Sequence, residues 1–174
     1  DDGRFADRAR ELHASAVLAA ARLASPGAAI EESGNAPFVA GRWAFSLNGL
    51  VHDFGAEAGN ALRARIGPAM VDQLVGDSDS EVVFAVVRAR LESGDSPGEA
   101  LRATIDEITT ITTGRFNLLL TDGHRVAATR FGNSLFVREG MVASEPIDNR
   151  PDWRVVPDCS LVEIEGAAVS VSSL

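Results

Sequence analysis

The sequence predicts an α+β domain with helices packed on antiparallel sheet. Two helices with complete start signals lie mid-chain, opening at Ser78 and Ser96. The last third breaks instead into short β-rich runs separated by turn dipeptides. The resulting order is strand, strand, two helices, then a run of antiparallel strands, which is the α+β pattern. The 174 residues are the size of one domain, taken as 1–174.

Residues 4–12 carry charge around Phe5, Ala9 and Leu12, the spacing of a short helix. The apolar run from Ser15 to Arg22 suits a buried strand or a buried helix segment; a strand is favoured, because the run stops at Arg22 and a Pro26-Gly27 turn follows. Residues 26–41, rich in Pro, Gly, Ala and Ser, read as loop. Arg42 to Leu47 alternates polar and apolar residues and runs into Asn48-Gly49, read as a strand ending in a turn. Residues 56–66 read as a short helix stopped by Gly67-Pro68.

Ser78-Asp79-Ser80-Glu81 has the form of a capping box. The Ser78 hydroxyl accepts from the Glu81 N–H, and the Glu81 carboxylate reaches back. Val82, Val83, Val86, Val87 and Leu91 then keep a helical period up to Gly94. Ser96-Pro97-Gly98-Glu99 opens a second helix to about Ile111. Strands follow over Arg115–Leu120, Arg125–Arg130, Leu135–Arg138 and Met141–Ala143, parted by Asp122-Gly123, Gly132-Asn133 and Glu139-Gly140. These are hairpin signals and predict an antiparallel meander. Leu161–Gly166 and Ala168–Val171 make one more hairpin.

Composition excludes several chemistries. The chain has 16 Arg and no Lys, no Tyr, and one Cys, Cys159. Without Lys there is no phosphate-binding P-loop lysine and no Schiff base. One Cys allows no intrachain disulfide and no multi-cysteine zinc site. His13, His52 and His124 stand apart from one another at no ligand spacing, so neither a metal nor another cofactor is expected. The net charge is −9, with arginines scattered among acids, which argues against nucleic acid as a partner. No apolar run approaches the ~20 residues of a membrane span, and a lone thiol suits a reducing compartment, so a cytoplasmic protein is expected.

Arg22, at the end of an apolar run, has a planar fork suited to a carboxylate. Asn48 and Gly49 can point an amide N–H and a backbone N–H at one oxygen, as an oxyanion hole does. Asp79, in the first turn of a helix, either satisfies the macrodipole or reads an ammonium group. Together these residues could hold an amino acid by its α-carboxylate and α-ammonium, with a carbonyl over the oxyanion donors. Taken singly, each also has a structural role available: an ion pair, a hairpin turn, a helix start. Cys159 beside Asp158 reads as structural.

In this order along the chain the motifs resemble those of class II glutamine amidotransferases, of the N-terminal-nucleophile hydrolase superfamily. The resemblance runs over roughly residues 5–170. It rests on Arg22-Leu23-Ala24-Ser25, Asn35-Ala36-Pro37-Phe38, Trp43 to Gly49, Asp79-Ser80-Glu81, Phe116-Asn117-Leu118-Leu119-Leu120 and Ala143-Ser144-Glu145-Pro146. The ending from Trp153 to Val162 resembles the branch of γ-glutamyl hydrolases of ergothioneine biosynthesis.

The resemblance implies a four-layer αββα sandwich with two antiparallel sheets between helices. It implies that Arg22 binds the substrate α-carboxylate and Asp79 its α-ammonium, with Ser25 a further substrate-binding residue, while Asn48 and Gly49 stabilise the oxyanion. The expected substrate is a small γ-glutamyl amide, a γ-glutamyl-cysteinyl-histidine betaine sulfoxide on the branch resemblance. A non-catalytic glutamate-binding subunit and a glutaminase module feeding ammonia to a synthase are the alternatives. Two positions depart from the family pattern. Leu47 stands where the family usually has His. The family nucleophile is an N-terminal cysteine whose own α-amine is the base, whereas this chain starts at Asp1. The expectation is therefore a domain incomplete at its N-terminus, lacking its first strands and inactive alone. It would be completed by a longer chain or a separate N-terminal piece, with a homo-oligomer as a further partner to consider.

Overall fold

A computed structural model describes residues 7, 9–11, 13, 14, 16–21 and 35–174. Asp7, Ala9, Arg10 and Glu11 are helical, within the stretch read as a short helix. The buried strand expected from Ser15 to Arg22 is not formed across Ala16–Ala21. These residues have no regular structure, and Val17 is 67% exposed. Four of these six residues are alanines, which give a sheet little to pack.

The stretch read as loop contains a strand, β1 (Phe38–Ala40), which turns back at Gly41 to pair with β2 (Trp43–Val51). Strand β2 does not end at Asn48-Gly49. These two residues lie inside the strand, opposite Asn117 and Phe116 of β3 (Gly114–Thr121), and neither has a positive φ. Glycine is required here for another reason. A Cβ on Gly49 would collide with the Arg115 carbonyl oxygen, and one on Gly114 with that of Leu50, so neither strand can carry a side chain at this crossing.

After β2 a π-helical turn, Phe54–Ala58, runs into α1 (Gly59–Arg63). Pro68 then starts a helix, α2 (Pro68–Val71), by occupying its first position. Helices α3 (Asp79–Glu92) and α4 (Pro97–Ile111) form where their caps predict them. Helix α3 is apolar on two sides. Val82, Val83, Phe84 and Val87 join the main core, while Ala85 and Val86 pack with Ile66 and Met70 around α2. The Phe45 and Phe84 rings stack with centroids 5.0 Å apart, fastening β2 to α3.

The remaining strands are β4 (Arg125–Arg130), β5 (Phe136–Arg138), β6 (Met141–Ala143), β7 (Arg154–Val155), β8 (Ser160–Glu165) and β9 (Ala168–Ser173). They do not form one meander. A six-stranded antiparallel sheet has the order β1-β2-β3-β4-β8-β9, and a second sheet the order β6-β5-β7. The chain leaves the large sheet after β4 and returns as β8 beside it. The alternation of each strand divides its side chains between two cores. Phe45, Phe116, Leu118, Leu120 and Ala127 face the helices. Ala128, Val162 and Ile164 face Leu135, Val137 and Val156 on the small-sheet side. Among the described residues the layers are thus helix, large sheet and small sheet.

Candidate active site

The register of β2 with β3 decides what β2 offers at its outer edge. The His52 N–H donates to the Thr113 carbonyl at 3.0 Å, so the N–H groups of even-numbered residues here point toward β3. Those of Leu47, Gly49 and Val51 point the other way. Strand β1 covers that edge only from Trp43 to Phe45. The Gly49 N–H therefore faces outward, beyond the end of β1.

Two residues further on, the Val51 N–H donates to Asp79 Oδ2 at 3.0 Å. Asp79 Oδ1 accepts from the Ser80 N–H at 2.7 Å and the Ser80 hydroxyl at 3.2 Å. Asp79, at the first turn of α3, is thereby pinned to the same edge as Gly49. Residues i and i+2 of a strand lie about 6.6 Å apart, a distance that a three-carbon glutamyl chain can bridge. Ser78 caps α3 by accepting from the Glu81 N–H at 3.2 Å. The expected return bond from Glu81 is absent. Its carboxylate accepts instead from the Val75 and Gly76 N–H groups at 2.6 and 2.7 Å, so it ties down the loop before the helix.

Asn48 is exposed beside Gly49, its side chain on the face away from the helices. Leu47 turns toward the helices and packs against the main core, so the position where the family usually has His is apolar support for the strand. Arg22 and Ser25 lie outside the described residues. The structure thus brings together three of the five residues singled out: Asn48, Gly49 and Asp79. Cys159 is exposed, with φ of 53°, and its backbone N–H donates to Asp158 at 3.0 Å. Among the described residues no three His, Cys, Asp or Glu side chains are grouped to hold a metal, and no helix is long and apolar enough to cross a membrane.

A set of residues missed in the sequence stands next to Asn48. Asn117, only 4% exposed, lies directly opposite it in the register. Its Oδ1 accepts from the Phe131 N–H at 2.9 Å and the Asn133 N–H at 3.4 Å, and its Nδ2 donates to the Ser134 carbonyl at 2.8 Å. The β3–β4 ladder opens to allow this. The Thr129 hydroxyl donates to the Phe116 carbonyl at 2.7 Å and accepts from the Leu118 N–H at 3.0 Å, in place of backbone pairing. Arg130 Nε donates to the Asn133 carbonyl at 3.0 Å, and Asp158 Oδ1 accepts from the Gly132 N–H at 3.0 Å. The bond from Gly132, with that from Cys159 and the Arg130 charge, holds the Asp158 carboxyl below the usual carboxylate range despite partial desolvation. One signal was available for this set: a polar Asn117 within an apolar strand needs partners when buried.

The family model for class II glutamine amidotransferases matches residues 5–140. A γ-glutamyl-hercynylcysteine sulfoxide hydrolase of Mycolicibacterium smegmatis is 39% identical over 178 aligned positions, which cover 99% of this chain and 70% of that protein. The protein of the same name from Mycobacterium tuberculosis is 32% identical, over 99% of this chain and 69% of its own length. Among solved structures, a glutamine aminotransferase class-II domain protein from Silicibacter pomeroyi superposes with a TM-score of 0.67 at 23% identity, covering 82% of this chain and 72% of that one. A predicted glutamine amidotransferase from Pseudomonas aeruginosa gives 0.58 at 21% identity, over 79% and 65%. These two share the fold. The chain belongs to the class II glutamine amidotransferases.

Proposed function

We propose that this chain carries the substrate-binding and oxyanion residues of an enzyme that hydrolyses a γ-glutamyl amide bond, and that the substrate is γ-glutamyl-hercynylcysteine sulfoxide, from which glutamate is released. The observation that carries the reading is the β2 edge, where the outward Gly49 N–H lies two residues before the Val51 N–H that anchors Asp79. The substrate named by the mycobacterial relatives supports the choice of leaving group.

In this reading Asp79 holds the substrate α-ammonium, and Arg22 with Ser25 holds the α-carboxylate. The γ-carbonyl then lies over Asn48 and Gly49. A thiolate attacks that carbon, and the negative charge gathers on the carbonyl oxygen, where the Asn48 amide N–H and the Gly49 N–H stabilise it. Collapse breaks the C–N bond, and the protonated base delivers its proton to the leaving amine. Water then cleaves the glutamyl thioester. In the family pattern the thiol is that of an N-terminal cysteine whose own α-amine is the base; Cys159, mid-chain and with no free α-amine, does not take that role.

The test is mass spectrometry of the full-length gene product, incubated separately with γ-glutamyl-hercynylcysteine sulfoxide and with glutamine. Glutamate and hercynylcysteine sulfoxide are the expected products, formed faster than ammonia from glutamine. Glutamate binding without turnover, or turnover of glutamine alone, overturns the proposal.

A further inference from the structure

Asn133 Nδ2 lies 3.0 Å from the Asn48 backbone carbonyl oxygen and 3.3 Å from Asn48 Oδ1. A backbone carbonyl can only accept, so the end of the Asn133 amide that faces it must be the NH₂. That NH₂ can only donate, so the atom of Asn48 beside it must be the oxygen. The two contacts together fix which way the Asn48 amide is turned: its oxygen toward Asn133, its own NH₂ pointing away.

We infer that Asn133 is a positioning residue, which orients the Asn48 amide so that its N–H meets the developing oxyanion. This rests on the oxyanion role proposed above for Asn48. The surrounding bonds suit such a task. Loop 131–134 is held at four backbone points. Asn117 takes the Phe131 and Asn133 N–H groups and donates to the Ser134 carbonyl, and Asp158 takes the Gly132 N–H. The Arg130 guanidinium adds a bond to the Asn133 carbonyl. Gly132, at φ of 91°, lies so close to Arg115 that a Cβ there would come within 2.9 Å of its Cγ. The Asn133 side chain thus projects from a backbone that has little freedom, and the amide it steers is exposed, with no other side-chain bond among the described residues. A preorganised donor costs no reorientation during the reaction, which is where such sites gain their rate.

Asn133→Asp and Asn133→Ala, each made in the full-length enzyme, separate positioning from packing. Asp is the isostere but only accepts, so it draws the Asn48 NH₂ toward itself and turns the oxygen to the substrate. Ala merely releases Asn48. The expected result is a kcat loss on the order of 100-fold for Asn133→Asp and about 10-fold for Asn133→Ala, with KM within about twofold in both. In an Asn48→Ala background, Asn133→Asp should cause no further loss. Circular dichroism melts check that the variants fold.

A packing role predicts the reverse order, with the isostere milder than Ala, and that result overturns the inference. So does an equal loss from Asn133→Asp with and without Asn48, which would mark simple charge repulsion. Loss of kcat in Asn48→Ala with none in Asn133→Asp removes the positioning role and leaves the oxyanion reading standing. No loss in Asn48→Ala removes both.

Discussion

Helices α3 and α4 begin with the same pattern, Ser-x-x-Glu, yet the two turns are wired differently. At Ser96 the box closes. The hydroxyl accepts from the Glu99 N–H at 3.4 Å, and the Glu99 carboxylate accepts from the Ser96 N–H at 2.9 Å. At Ser78 only half of it forms, because Glu81, 9% exposed, is spent on Val75 and Gly76. Glu99 works within its own helix in solvent. Glu81 and Asp79 work across elements, one holding the preceding loop and the other the end of β2. The turn that closes on itself stabilises a helix. The turn that stays open ties the start of its helix to two other parts of the chain.

The largest expected effect comes from removing the charge at the open turn. Asp79→Asn keeps an oxygen for the Val51 N–H but loses the anion. In the full-length enzyme KM for the γ-glutamyl substrate should rise on the order of 10- to 100-fold, the value of a hydrogen bond to a charged group. Stability should change by less than about 1 kcal/mol. Unchanged kinetics would reduce Asp79 to a helix-start residue like those of α4.

Next comes Glu81→Ala. It leaves two backbone N–H groups without their acceptor, one of them in the exposed Val75, and should cost about 1–2 kcal/mol in urea unfolding. A cost as small as that of an exposed cap would erase the difference between the two turns.

The smallest effect belongs to Glu99→Gln, read through pH. The Ser96 side chain and N–H hold the Glu99 carboxyl below its ordinary range. A folded pKa below the unfolded one means stability that is present above the unfolded value, about 4.3, and lost as pH falls through the folded value. The gap in urea midpoint between wild type and Glu99→Gln should therefore be open at neutral pH and close in strong acid. A gap that persists in acid would show that the charge of Glu99 is not what its cap uses.

What was legible in the sequence was local. Caps at Ser78 and Ser96 and turn residues at Asp122-Gly123 and Glu139-Gly140 act within a few residues, so α3, α4 and the hairpins were read nearly as they form. Asn48-Gly49 shows where that logic stops. The same dipeptide serves a tight turn or a close strand crossing, and only the pairing with Arg115, far along the chain, separates the two. The departure of β5, β6 and β7 into their own sheet was illegible for a similar reason, since which strand a segment pairs with is a long-range matter. Asp79 and Gly49 could be singled out in advance, but not their shared edge, which needed the register of β2 on β3. Asn133 looked like one half of a turn. Its role depends on Asn48, 85 residues away, and on the buried amide of Asn117.

The small sheet is joined to the large one by two chain crossings, one leaving β4 and one entering β8. These crossings are laced to each other: the Arg130 guanidinium donates to the Val156 carbonyl, the Val156 N–H to the Leu135 carbonyl and the Gly132 N–H to Asp158. Two strands of chain that could have served as a hinge are in effect sewn shut. Any rocking of the small sheet must then either tear this seam or carry loop 131–134 along with it. Motion that reaches Asn48 from that side would arrive through the seam, which makes it a mechanical fuse between the two halves of the molecule.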